Sequence, residues 1–396
     1  MKLSQKIESC NLSPIRKFYP YSRAAEARGI KIHPLNIGQP DIPTPPVFFD
    51  AIKNYHQDVL SYAPAPGIPL LVEAMQGYYA RLGVNLSADE IIITTGGSEA
   101  LLMAMLCILD QGDEVLIPEP FYPNYRTFIQ MAGGRICPIP TSPENGYRYA
   151  TREQIESRIN ERTKAIVVIN PGNPTGTVLT PGELALIGDI ARERGLYIIA
   201  DEVYREFIYD GGELATAATL PDLEENLILV DSVSKRFSAC GARVGAVISR
   251  NKDFMAGITK ITQARLSVAT LEQIGSAALY NLEPDYFGET RDRYRRRRDV
   301  CYQKLREIPG VITAEPQGAF YMMAKLPVDD TEKFQMFLLN EFEDKGETLM
   351  FAPGSGFYAT PGAGKSEIRI AYVRKAEELE RAMDLLRIAI ERYNNR

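Results

Sequence analysis

From about residue 90 the chain alternates short apolar runs with longer stretches of helical spacing. "EIIITTGG" is an apolar run, and "SEALLMAMLCILDQG" after it reads as a helix that ends at glycine. "DEVLIP" and "KAIVVIN" read as strands, with the helix "YPNYRTFIQMAGG" between them. "TPGELALIGDIARERG" is a helix marked at both ends. Thr180 caps it, Pro181 is its first residue, Glu183 is the reciprocal capping partner and Gly195 stops it. Leu184, Ile187 and Ala191 share its apolar face. "LYIIADE", "LILVDS" and "RVGAVIS" complete the set of strands. Apolar runs that do not alternate with polar residues belong to strands covered on both faces. Interleaved with helices, they predict an α/β fold: a mostly parallel sheet with right-handed crossovers and helices on both faces. Ligands in such folds sit beyond the carboxyl ends of the strands. Chemistry is therefore expected at Thr95–Ser98, Asn170–Asn173, Asp201–Tyr204 and Asp231–Lys235.

After residue 250 the pattern changes. Helical segments dominate to about residue 308, and then "GAFYMMAKL", "EIRIAYV" and the helix "KAEELERAMDLLRIAIERYNN" predict a smaller α+β unit. The Pro-rich N-terminal stretch, with "PLNIGQPDIPTPP", is expected to be irregular and to pack against that unit. The predicted division is a large domain over 48–285 and a small one built from 1–47 and 286–396. No internal repeat or low-complexity tract is present.

Composition narrows the function classes. Of 396 residues, 24% are charged and 45% hydrophobic, and the net charge is -6, which argues against a general nucleic-acid or membrane binder. The one basic cluster, "RDRYRRRR" (Arg291–Arg298), lies in a helical pattern and reads as a solvated helix face. The five cysteines, Cys10, Cys107, Cys137, Cys240 and Cys301, are scattered and never spaced CxxC. They fit reduced thiols in a cytoplasm rather than a disulfide framework or a zinc site. With only His33 and His56, both read as structural or surface residues, neither a histidine metal site nor a Ser-His-Asp triad is easily built. No signal-peptide core precedes the domain, and no run reaches the length of a membrane span.

The strand exits carry specific chemical demands. "TTGGSEA" sets two glycines before a helix, a backbone cradle for an anion such as phosphate. "NPGNPTG" (Asn170–Gly176) holds a side-chain amide, Asn173, on a loop stiffened by two Asn-Pro steps. In "ADEVY", Asp201 ends an apolar strand, and a buried carboxylate needs a cation, which a protonated heterocyclic nitrogen would supply. Tyr204 lies three residues on. "DSVSKRFSACGARVG" places Lys235 after a buried strand with Arg243 close by, a candidate for a depressed pKa and for Schiff-base chemistry on a carbonyl. Ser232, Ser234 and Arg243 offer donors to a phosphate. A phosphate, a heterocyclic cation and an aldehyde together describe pyridoxal 5'-phosphate.

The lysine segment resembles the signature of the class I/II, fold-type I aminotransferases, the aspartate aminotransferase family. The likeness continues through "GQPDIPTPP", "YAPAPGIPLLVEAM", "TTGGSEAL", "PFYPNY", "NPGNPTG", "ADEVY" and "IRIAYV", in family order. The resemblance implies that Lys235 carries the cofactor covalently and shuttles the proton. Asp201 then pairs with the ring nitrogen, and Asn173 and Tyr204 bond the ring's phenolic oxygen. Gly97, Ser98, Ser232, Ser234 and Arg243 hold the phosphate, and Tyr122 stacks on the ring. Arg369 clamps the substrate α-carboxylate with help from the Gly38 backbone. Tyr62 reaches the phosphate of a neighbouring subunit, implying a homodimer. The implied reaction moves an amino group between an L-amino acid, aspartate or another, and a 2-oxo acid, with 2-oxoglutarate the expected acceptor. No arginine clearly recognises a second substrate carboxylate. Arg16 in "SPIRKF" is the candidate, with a surface role equally open.

Three other readings compete. A C–S β-lyase on the same scaffold would use the same residues. "ATPGAGKS" (Ala359–Ser366) fits a relaxed nucleotide phosphate-loop pattern, but a strand, not a helix, is expected to follow it. A non-catalytic regulator would carry an added DNA-binding domain, for which the chain offers no segment.

Overall fold

The apolar runs form the strands of a computed structural model that describes residues 2–8, 10–212 and 215–396. Strand β1 (Lys31–Pro34) stands apart from the main sheet. That sheet contains β2 (Ile91–Thr94), β3 (Glu114–Glu119), β4 (Arg135–Pro140), β5 (Thr163–Ile169), β6 (Tyr197–Asp201), β7 (Leu227–Ser232) and β8 (Gly245–Ile248). Their order is β2-β8-β7-β6-β5-β3-β4, all parallel except β8, which runs against both neighbours.

Alternate residues of each strand enter different cores, because successive side chains point to opposite faces. Ile166, Val168, Ile198, Ala200 and Leu229 join one cluster. Val167, Ile169, Ile199, Ile228 and Val230 join the other, with the helix Gly97–Ile108. Both faces are thus covered, as runs without polar alternation require. The helix Pro181–Arg194 carries the expected capping box between Thr180 and Glu183 and ends on Gly195 in the left-handed conformation. Strand β4 escaped the sequence pattern. It is an edge strand, interrupted by Pro138 and Pro140 and only partly buried.

A second, antiparallel sheet has the order β12-β13-β10-β9, from β9 (Ile312–Thr313), β10 (Tyr321–Lys325), β12 (Ala352–Pro353) and β13 (Glu367–Ala371). Strand β11 (Glu347–Met350) pairs in parallel with β1. The N-terminal stretch is therefore more regular than its prolines suggested: it forms the helix Tyr19–Ala27 and a paired strand. A third core gathers Leu35, Phe320, Met322, Ile368 and Ile370 against the long helices Asp285–Arg306 and Ala376–Asn394.

The basic cluster requires a correction. Arg297 and Arg298 are buried, on the same helix face as Tyr294, Cys301 and Leu305. Arg297 makes two bonds to Asp41, of 2.7 and 3.1 Å, and Arg298 pairs with Asp210 at 2.6 Å. Helical spacing turns these two guanidiniums inward while Arg293 and Arg296 stay in solvent. His33 is buried beside Glu347 and His56 is exposed.

Candidate active site

All four strand exits open on one cavity of about 500 Å³. The central sheet supplies Gly97, Ser98, Asn173, Asp201, Tyr204, Ser232, Ser234 and Lys235, with Arg243 from the loop before β8. Tyr122 and Tyr125 come from the segment after β3. Arg16, Asn36 and Gly38 from the N-terminal stretch, and Tyr321 and Arg369 from the antiparallel sheet, close the other side. Of the residues expected to bind cofactor or substrate, all but Tyr62 line this cavity, and Tyr62 is 83% exposed.

Asp201 ends β6 and is buried. Burial pushes its carboxyl up to about 6, against the opposing hydrogen bonds from Tyr125 and the Val203 amide. Tyr125 donates at 2.5 Å and Val203 N–H at 3.2 Å. Among the described residues no cation pairs with it, so the demand for one, read from the sequence, stands open toward the cavity. Lys235 Nζ donates to the Gly38 carbonyl at 3.0 Å, and Cys240 Sγ lies 4.0 Å away. Among the described residues no carboxylate pairs with this amine. A Cβ at Gly38 would fall 1.9 Å from the Tyr321 hydroxyl, so only glycine fits there.

The turn holding Lys235 stands on buried charge. Asp231 pairs with Arg236, accepts from Tyr79 at 3.1 Å and Tyr280 at 3.2 Å, and takes the Ser232 amide at 2.7 Å. Burial alone would raise its carboxyl, but Arg236, Arg205 and the hydrogen bonds from the Ser232 amide and Tyr79 together hold it below the usual range.

The turn expected to cradle an anion lies at the start of the helix Gly97–Ile108. Gly96 has φ +76°, and a Cβ there would lie 2.5 Å from Arg243 Nη2. Gly97 is under no such constraint, since an added Cβ meets its nearest neighbour at 3.6 Å. Arg243 itself has φ +53°, unusual for a residue with a side chain, and is held by bonds to the Cys240 and Thr95 carbonyls. Ser232 Oγ donates to Ser234 Oγ at 2.8 Å.

Arg369 is 2% exposed, and among the described residues no carboxylate pairs with it. It donates to the Asn36 carbonyl at 2.6 Å and to Asn173 Oδ1 at 3.2 Å, and its Nε has no partner. Its guanidinium lies over the Tyr321 ring, 4.6 Å from the centroid. A buried cation with an orphaned donor is costly unless an anion joins it. Tyr204 and Tyr321 hydroxyls meet at 3.0 Å. Tyr122 stands edge-on to Tyr125.

These residues fit a phosphorylated heterocyclic aldehyde. The cradle and Arg243 suit a phosphate, Asp201 a ring N–H⁺, Lys235 a carbonyl, and Arg369 a substrate carboxylate. Tyr125 and Tyr321 were not singled out in the sequence, because tyrosines at these spacings look like core residues. The phosphate-loop segment is already occupied: Ala359 and Thr360 amides donate to Glu119 at 2.9 and 3.1 Å, and β13 follows directly.

Such a site defines an enzyme of pyridoxal phosphate chemistry. The sequence matches the profile described as aminotransferase class I and II over residues 30–386. It is 33% identical over 403 residues to an aspartate aminotransferase of Pyrococcus abyssi, covering 97% of each chain. It is 32% identical over 406 residues to aromatic-amino-acid aminotransferase 2 of Thermococcus litoralis, again covering 97% of each. A solved alanine aminotransferase from Pyrococcus furiosus superposes with TM-score 0.90 at 30% identity, covering 99% of this chain and 100% of that one. The chain belongs to the class I and II aminotransferase family, whose members depend on pyridoxal phosphate. It is an aminotransferase acting on amino and oxo acids, and the C–S β-lyase alternative is not favoured.

Proposed function

We propose that the enzyme passes the amino group of an L-amino acid, aspartate or another donor, to 2-oxoglutarate, as a cytoplasmic homodimer that binds no nucleic acid. The observation that carries this reading is Arg369: a buried guanidinium with a free Nε on the same cavity as an unpaired amine and an unpaired carboxylate. That arrangement suits the α-carboxylate common to amino acids and 2-oxo acids.

When bound, pyridoxal phosphate supplies an aldehyde for condensation with amines and a protonated ring that withdraws electrons from the substrate α-carbon. In this reading Gly97, Ser98, Ser232, Ser234 and Arg243 hold its phosphate. Asp201 keeps the ring nitrogen protonated, with Tyr125 fixing the carboxylate. Asn173 and Tyr204 hold the phenolic oxygen, and Tyr122 covers the ring face. Arg369, assisted by the Gly38 backbone, orients the substrate. Lys235 Nζ would hold the aldehyde of the cofactor and, when free, would carry the proton at the substrate α-carbon. Residues 48–285 would form the cofactor-holding domain, with 1–47 and 286–396 as the smaller one.

The dimer is supported by apolar exposure. Val59, Leu60, Tyr62 and Leu266 are 70%, 60%, 83% and 55% exposed. Arg265 donates to the Ala65 carbonyl and Thr270 to the Ser61 carbonyl, which puts these stretches on one face. Leu266 also holds φ +77°, a costly conformation for a branched residue in solvent. Tyr62 of each protomer would reach the phosphate site of its partner.

The reading is tested by adding amino acids singly to the holoenzyme. A true donor bleaches the visible band of the bound aldehyde, and 2-oxoglutarate restores it. Pyruvate release from cystathionine with no acceptor present would contradict it.

A further inference from the structure

Behind the site lies a cluster of buried charge that the proposed reaction does not use. The ladder between β6 and β7 ends at Asp201 and Val230, with one further bond from the Glu202 amide to the Val230 carbonyl at 3.3 Å. From there the two strands lead into separate turns. One carries Asp201 and the other Lys235, and both of these line the cavity. Glu202, Arg205 and Glu206 of the first turn, and Asp231 and Arg236 of the second, are buried outside its lining.

Two adjacent tyrosines reach both turns. Tyr78 and Tyr79 belong to the helix Pro69–Arg81, and both are buried, with their rings edge to face at 5.4 Å. The Tyr79 hydroxyl accepts from Arg205 Nη2 at 3.1 Å and donates to Asp231 Oδ2 at 3.1 Å. The Tyr78 hydroxyl accepts from Arg236 Nη1 at 2.7 Å and donates to Glu206. Each hydroxyl thus takes a bond from a guanidinium of one turn and gives one to a carboxylate of the other, in opposite senses. Within each turn the guanidinium also meets its own carboxylate: Arg205 bonds Glu202 at 2.7 Å, and Arg236 pairs with Asp231. Removing either hydroxyl takes a partner from two buried charged groups at once. Tyr280 differs, since its hydroxyl donates to Asp231 Oδ2 at 3.2 Å and so supports the Lys235 turn alone.

We propose that Tyr78 and Tyr79 are positioning residues that tie the turn of Asp201 to the turn of Lys235 and set the separation of those two groups. The inference rests on the reading of Lys235 as the amine that holds the aldehyde and of Asp201 as the partner of the ring nitrogen. A carbonyl and a ring nitrogen on one rigid heterocycle require a fixed spacing, and misplacing either protein group slows the chemistry. Arg369 binds the Asn36 carbonyl and Asn173, away from the cluster, so capture of a substrate carboxylate is spared.

Phenylalanine keeps the ring and its stacking and removes only the hydroxyl link. Arg205 lies 4.7 Å from the Tyr79 ring centroid and Arg236 lies 4.6 Å from that of Tyr78. Amide hydrogen exchange is read by mass spectrometry over 201–206 and 231–236 in the full chain, with and without pyridoxal phosphate. Tyr79→Phe should speed exchange in both segments, and Tyr280→Phe in 231–236 alone. In the holoenzyme, Tyr79→Phe should lower kcat by about 5- to 50-fold and leave the Kd of butyrate, an unreactive carboxylate, within about twofold. Tyr78→Phe should act in the same direction, and it takes the place of Tyr79→Phe if that variant fails to fold. Tyr294→Phe removes a buried hydroxyl with no partner among the described residues, and it should leave kcat and both segments unchanged. Exchange that rises at one turn only in Tyr79→Phe, or a kcat equal to that of wild type, would overturn the tie. Faster exchange at both turns in a chain that takes up no pyridoxal phosphate would overturn the functional reading and leave the tie standing.

Discussion

Asp201 shows how one residue can be both a cost to the fold and the centre of the site. Its carboxyl is pushed up to about 6 because burial disfavours the anion more than Tyr125 and Val203 favour it. In an unfolded chain the same group titrates near about 4. Between these values the folded protein binds the extra proton, so stability falls as pH rises through the window and the penalty is complete above it. The apoprotein should therefore lose about 3 kcal/mol from this group between about pH 4 and pH 6. Asp201→Asn should abolish that slope in apoprotein unfolding curves, and bound cofactor should suppress it in wild type by giving the carboxylate a cation. An identical slope in wild type and variant apoprotein would show that Asp201 ionises freely. Asp201 and Lys235 were legible because a charged group at the end of an apolar strand has few uses. Tyr125 and Tyr321 were not, since a tyrosine in an apolar segment satisfies core packing equally well, and only the fold reveals what its hydroxyl meets.

At the scale of elements, the site is a set of strand ends and one helix start. The sequence showed two glycines at this helix start but could not say which of them the turn depends on. Gly96 takes a positive φ and faces the Arg243 guanidinium, whereas Gly97 has room for a side chain. Gly96→Ala should cost the apoprotein about 1–3 kcal/mol of stability and displace Arg243, weakening retention of the cofactor. Gly97→Ala, at the first helical position, should leave apoprotein stability unchanged or slightly higher. Urea unfolding of the two apoproteins separates these outcomes, and equal destabilisation would refute the distinction. The departures from the sequence pattern share one cause, tertiary context overriding local signals. Strand β4 pairs despite its prolines because it sits at the edge. Strand β1 forms because β11 offers it a partner. Arg297 and Arg298 turn inward because Asp41 and Asp210 are there to meet them.

At the scale of the molecule, the cavity lies between the exits of the central sheet and the inner side of the antiparallel one, so neither sheet alone makes the site. The strand-helix alternation was readable far more directly than the way the N-terminal stretch and the C-terminal strands close over it. The proposed dimer extends this sharing, since Tyr62 stands away from its own cavity. Lys235→Ala and Tyr62→Ala homodimers should each be impaired, the first by several orders of magnitude. Mixed dimers place both lesions in one site and none in the other, so mixing the two variants should raise activity well above that of either. No recovery after verified subunit exchange would contradict a shared site.

The central claim is that the amine of Lys235 carries the aldehyde of the cofactor while Asp201 faces its ring nitrogen. The most direct test is borohydride reduction of the holoenzyme followed by peptide mass spectrometry. The account predicts a reduced pyridoxyl phosphate adduct on Lys235 and none on Lys235→Ala protein. An adduct on a different lysine, or none on a coloured wild-type enzyme, would contradict it.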